Sequence, residues 1–170
     1  MNSSTADNNQ VPEVQENYEL LKDLPFFADF PEKAVKLLAF MAERSLLTEG
    51  EILFEEGDDL GRFYLILSGW LMLSKKSGKE KLVIERYGPG ECLGSFSLLG
   101  AMPALFVLQA SSITTVLTIN REQFVKILEQ FPEVGKLAAG AFLRELRRWE
   151  QKNLTKAEVC CLKRTGATVL

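Results

Sequence analysis

Between residues 52 and 119 the chain is a succession of short apolar runs, each stopped by a turn-forming cluster. Ile52-Leu53-Phe54 runs into Gly57-Asp58-Asp59, and Phe63-Tyr64-Leu65-Ile66-Leu67 stops at Ser68-Gly69. Trp70-Leu71-Met72-Leu73 leads to Ser77-Gly78, and Leu82-Val83-Ile84 ends at Gly88-Pro89-Gly90. Two more β-rich runs follow, at 105–110 and 113–119. Runs this short cannot form stable helices, and glycine supplies the tight reversals between antiparallel strands. The pattern predicts a jelly-roll or small barrel.

Helical spacing flanks this region. Leu20, Leu21 and Leu24 lead into a break at Pro25-Phe26-Phe27, and Val35, Leu38, Ala39 and Ala42 predict a helix over 31–44 with Pro31 at its start. Asn120 is a good N-cap for a helix carrying Phe124, Ile127, Leu128 and Phe131. Pro132 then allows a second helix, on which Gly135, Ala139, Phe142, Leu146 and Trp149 repeat at four and three. That is coiled-coil seam spacing, so Ala139, Phe142, Leu146 and Trp149 are the candidate homodimer interface. The alternative is that this helix packs back on its own roll. The order predicts an α+β fold: a double-stranded, jelly-roll-like β-roll flanked by N-terminal helices and a long C-terminal helix. The expected divisions are a disordered tail over 1–16, a roll with flanking helices over 17–132, a long helix over 133–154, and a short helix or tail over 155–170.

Composition removes several classes of function. The 170 residues contain no histidine, which excludes Ser-His-Asp machinery, His-ligated metal sites and the His clusters of β-roll metal enzymes. Cys92, Cys160 and Cys161 are too few for a four-thiolate zinc site. The expectation is therefore no catalysis, no metal and no cofactor. A net charge of −3 gives no general pull toward nucleic acid. The segment after Thr155 is too short for a helix-turn-helix unit, so no DNA-binding domain is expected. The basic face of Arg144, Arg147, Arg148 and Lys152 reads as a solvated face balanced by Glu145 and Glu150. From Cys92 to Asn120 there is no charged residue, a length that could cross a bilayer. Gly94, Gly100, Pro103 and Gln109 interrupt it, and its β-branched residues favour strands, so no membrane span is expected. With no apolar leader visible and an odd cysteine count, the expected location is cytoplasmic.

The chain resembles the cyclic nucleotide-binding domain family of catabolite activators and kinase regulatory subunits. The resemblance rests on Leu24-Pro25-Phe26-Phe27, on Gly50-Glu51 with Ile52 and Phe54, and on Gly57-Asp58. It continues through Tyr64, Ile66 and Gly69, then Tyr87-Gly88-Pro89-Gly90-Glu91 leading to Leu93-Gly94, and finally Leu98, Leu99 and Pro103. It implies a β-roll with a phosphate-binding cassette after Gly94. It also implies a Glu for the ribose, an Arg for the cyclic phosphate, and a following helix that dimerises in the activator branch.

This chain has Ser95 at the Glu position and Ala104 at the Arg position. Leu105 and Phe106 stand where the family has small residues, and Val107 where it has a hydroxyl. Loss of two charged contacts removes about 3–6 kcal/mol, or about two to four decades of affinity. The candidate ligand-contacting residues are Gly94, Ser95, Phe96, Ser97, Ala104, Leu105, Phe106 and Val107. The expected function is a regulatory or sensor module that does not bind cAMP or cGMP tightly and takes a small uncharged or apolar ligand. One alternative is a ligand-free scaffold acting through the C-terminal helix, with Leu105, Phe106, Val107 and Leu108 filling the pocket. Another is weak or atypical cyclic nucleotide binding.

Overall fold

The computed structural model describes residues 7–77 and 80–154. Two helices, α1 (Asp7–Lys22) and α2 (Glu32–Met41), precede eight strands. These are β1 (Glu43–Leu47), β2 (Ile52–Phe54), β3 (Arg62–Ser68), β4 (Leu71–Ser77), β5 (Glu80–Tyr87), β6 (Cys92–Leu93), β7 (Val107–Ala110) and β8 (Thr114–Asn120). A single 3-10 turn, Ser95–Leu98, separates β6 from β7, and α3 (Arg121–Gln130) and α4 (Glu133–Leu154) close the chain. The strands form two antiparallel four-stranded sheets, in the orders β1-β8-β3-β6 and β2-β7-β4-β5. This is the expected α+β roll.

Strand β3 has no polar face because both of its faces are covered. Phe63 and Leu65 point to the helices, while Tyr64 and Ile66 point between the sheets. Strand β8 does the same with Leu117 and Ile119 on one side and Val116 on the other. The helical side is an aromatic cluster. Phe26 and Phe27 meet edge-on with ring centroids 5.0 Å apart, and Phe27 meets Phe63 at 5.2 Å. Each fully buried phenylalanine contributes about 1.5–3 kcal/mol, with about 0.5–1.5 kcal/mol more per well-oriented ring pair. The Pro25-Phe26-Phe27 break is thus a bend that drives two rings into the core.

Asn120 caps α3 as expected. Its side chain accepts from the Gln123 amide and Gln123 Oε1 accepts from the Asn120 amide, both at 2.8 Å. Gln123 also donates to the Met41 carbonyl at 2.6 Å, tying α3 to the end of α2.

Several expectations are corrected. The helix expected over 31–44 ends at Met41, because Ala42 is extended and Glu43–Leu47 pairs with β8 as β1. Residues 7–16, expected in a disordered tail, belong to α1. Tertiary contacts explain this: Arg44 donates to Asn17 Oδ1 at 2.7 Å and to Glu16, and buried Asn17 donates to the Ala39 carbonyl. The short strands expected at 70–73 and 82–84 extend into the longer β4–β5 hairpin. Helix α4 covers the range expected for the long helix. The segments 1–6 and 155–170, including Cys160 and Cys161, lie outside the described residues. Among the described residues no helix is long and apolar enough to cross a membrane.

Candidate functional site

The cassette starts at a position only glycine can fill. Gly94 has φ +83°, and a Cβ there would lie 2.3 Å from the Arg62 carbonyl oxygen. This close approach lets the chain turn from β6 into the Ser95–Leu98 turn while lying flat on β3. Ser97 is fully buried at this junction, with its hydroxyl 2.8 Å from the Arg62 carbonyl and 2.6 Å from that of Gly94. The far end of the cassette is held by the β2–β3 loop. The Ala104 amide donates to the Asp58 carbonyl and the Ala104 carbonyl accepts from the Gly57 amide, each at 2.8 Å.

Between these ends lies a cavity of about 390 Å3. Its lining includes Leu60, Leu73, Leu93, Phe96, Leu105 and Phe106, with Tyr87 as its one hydroxyl-bearing side chain and no charged side chain among the described residues. Of the eight candidate residues, Gly94, Phe96, Ala104, Leu105 and Phe106 reach this cavity. Ser95, Ser97 and Val107 do not. Ser95 is buried close to Glu145 of α4, Ser97 braces the backbone, and Val107 lies beside Ser74 and Gln109 at a separate small hollow. Leu105 and Phe106 form a rim instead of a plug. Leu105 is 65% exposed, and Phe106 lies under the Lys75 ammonium, 5.8 Å from its ring centre.

Two groups that sequence patterning missed hold the site in place. Arg121, the first residue of α3, donates from Nε to the Ser97 carbonyl at 2.7 Å and from a terminal nitrogen to the Gly100 carbonyl at 2.8 Å. The same guanidinium grips both oxygens of Asp59 at 2.7 Å. Hydrogen bonding from Arg121 is the main reason the Asp59 carboxyl sits at about 2. Glu145 is the second group. Burial raises its carboxyl, against the lowering effect of Arg148, Ser95 and Arg144. Nothing in local spacing marks either partner, because each meets the cassette across a long stretch of chain. Cys92 is half-buried beside this region, and burial pushes its thiol up to about 11, so it is a poor nucleophile at neutral pH.

Helix α4 is latched to the cassette. Phe142 meets Phe96 edge-on at 4.5 Å, and Arg144 donates to Asp29 in the loop after α1. Its buried side is Val134, Ala138 and Ala141, one position away from the expected seam. Ala139 is exposed and Phe142 and Leu146 are half-buried, while the Trp149 side chain lies outside the described residues.

A β-roll bearing a glycine-started cassette and a following helix defines a regulatory ligand-binding module. The cyclic nucleotide-binding domain model matches residues 44–131, just over half of the chain, and the chain belongs to that family. It is 28% identical over 128 residues to the cyclic AMP receptor protein of Thermus thermophilus, a match covering 75% of this chain and 59% of that protein. A cyclic nucleotide-binding-like protein from Brucella abortus is 32% identical with a TM-score of 0.62, over 67% of this chain and 98% of that one. The N-terminal domain of a transcriptional regulator from Streptomyces coelicolor is 25% identical with a TM-score of 0.69, over 82% and 99%.

Proposed function

We propose that this chain is a non-catalytic sensor module whose cassette has exchanged a cyclic nucleotide for a small uncharged, largely apolar ligand. The observation that carries this reading is the open cavity of about 390 Å3 with a charge-free lining. A cyclic phosphate moved there would lose its hydration and meet no counter-charge, which costs several kcal/mol. An alkyl or aromatic ligand would instead bury apolar surface at about 25 cal/mol per Å2, with the Tyr87 phenol available for one hydroxyl. Phe96 lines the cavity and meets Phe142 edge-on, so it lies between a bound ligand and α4.

The test is a thermal-shift and calorimetric comparison of cyclic AMP, cyclic GMP and 4-propylphenol. The expected result is saturable stabilisation by the phenol alone, reduced in Met102→Trp, which enlarges a residue that lines the cavity. Low-micromolar binding of either nucleotide to the wild-type chain would overturn the reading. In the Ser95→Glu, Ala104→Arg variant, gain of nucleotide binding would show that only the polar contacts had been lost.

A second reading concerns assembly. On α4, Leu143 is 57% exposed next to exposed Ala139 and half-buried Phe142 and Leu146, which supports pairing of this helix with that of a second copy. Sedimentation of wild type and Leu143→Glu tests it: a dimer that dissociates in the variant is expected, and a wild-type monomer at high concentration refutes it.

A further inference from the structure

Beside the cassette cavity, and sharing Phe54 and Leu60 with it, is a second cavity of about 400 Å3. Leu53, Phe54 and Leu60 form its apolar wall, and Asp58, Arg62 and Tyr64 supply its polar groups, with Asp59 at its edge. Arg62 and Tyr64 are two residues apart on β3, so they project from the same face of the strand. Tyr64 is 6% exposed as a residue, but its phenol oxygen is open to solvent and makes no hydrogen bond among the described residues.

The charged groups Asp58 and Arg62 are both solvent-exposed. Asp59 is fully engaged by Arg121. Asp58 uses Oδ2 to accept the Glu55 amide at 2.8 Å, which leaves Oδ1 available. The Arg62 guanidinium makes no ion pair or hydrogen bond among the described residues. The cavity thus holds one available cation, one available carboxylate oxygen and one available phenol against an apolar wall. A simple anion entering it would be repelled by Asp58, and a simple cation by Arg62. A molecule carrying both charges satisfies each of them.

We propose that this second cavity binds a small zwitterion with an apolar side chain, of the α-amino acid class. Its carboxylate meets the Arg62 guanidinium and accepts a hydrogen bond from the Tyr64 phenol. Its ammonium meets Asp58, and its side chain lies on Leu53, Phe54 and Leu60. The site is separate from the cassette cavity and does not depend on what that cavity binds.

The experiment is calorimetric titration of the full chain with L-leucine, with 4-methylpentanoate (its carboxylate alone) and with 3-methylbutylamine (its ammonium alone). Saturable leucine binding is expected, with either singly charged analogue at least about tenfold weaker. Arg62→Gln and Tyr64→Phe are each expected to weaken leucine by about five- to tenfold. Met102→Trp, which enlarges a residue that lines the cassette cavity, is expected to leave leucine affinity unchanged. No saturable binding of leucine up to about 10 mM, equal binding of all three compounds, or loss of leucine binding in Met102→Trp would each overturn the proposal. If a β3 variant fails to fold, the analogue series on the wild-type chain decides alone.

Discussion

Arg121 holds Asp59 through two parallel hydrogen bonds of 2.7 Å and, with the same guanidinium, the carbonyls of Ser97 and Gly100. One side chain thereby joins the β2–β3 loop, the cassette and the start of α3. The cassette that lacks an arginine at position 104 is braced from outside by an arginine at 121, and its charge is already balanced. Replacing it with methionine keeps the aliphatic stem and removes all four bonds. Arg121→Met is expected to lower the melting temperature by about 2–4 °C and to speed hydrogen exchange at Ser97–Ala104.

The same pair sets an acid dependence. The Asp59 carboxyl lies at about 2 in the folded chain, below its ordinary 3.8, first because of Arg121. Its contribution to stability is therefore full above about pH 4 and is lost as the pH falls through about 2. Urea midpoints measured from pH 5 to pH 2 are expected to fall less steeply in Asp59→Asn than in wild type. Parallel curves would show that the pair is not coupled to folding.

Glu145 has the opposite sign. Burial raises its carboxyl in the folded chain, so folding favours the protonated form. This preference costs stability as the pH rises from the ordinary glutamate value through the raised one. Glu145→Gln keeps the size of the side chain and removes the charge. It is expected to raise the melting temperature by about 1–2 °C at pH 7 and to have less effect at pH 4.

The latch between cassette and helix is apolar. Phe142 meets Phe96 at 4.5 Å from a half-buried position, so Phe142→Ala should cost less than removal of a core phenylalanine. A loss of about 1–2 kcal/mol in urea unfolding is expected, with an unchanged m-value. A loss as large as that for Phe27→Ala, about 3–5 kcal/mol, would mean that α4 and the core are a single packing unit.

Gly94 is the least replaceable residue of the site. Alanine there would take an unfavourable φ of +83° and place its Cβ 2.3 Å from the Arg62 carbonyl. Both effects act on one backbone, so about 3 kcal/mol or more of destabilisation is expected, seen as a sharp drop in melting temperature. A variant that melts like wild type would show that the β3–cassette approach is looser than described.

Much of this was legible locally. The apolar run Phe63-Tyr64-Leu65-Ile66, the glycine punctuation, the Asn120 cap and the uncharged cassette each express themselves within a few residues. Strand β1 was not, because Arg44-Ser45-Leu46-Leu47 follows a helical repeat and becomes a strand only by pairing with Thr114–Thr118. The first part of the N-terminal helix, residues 7–16, was also hidden, since its polar residues gain partners only when Arg44 comes alongside.

The sequence by itself determined that a β-roll forms and that its cassette, with Ser95 and Ala104, carries no charged side chain between Cys92 and Asn120. Periodicity, turn chemistry and side-chain charge are properties of neighbouring residues, so they survive without coordinates. Tertiary structure alone decided that Leu105 and Phe106 rim an open cavity and that Arg121 reaches Asp59 across 62 residues of chain. It also decided that Arg62, Tyr64 and Asp58 share a second cavity. Those outcomes depend on where distant strands and loops meet in space, and no local pattern encodes that meeting.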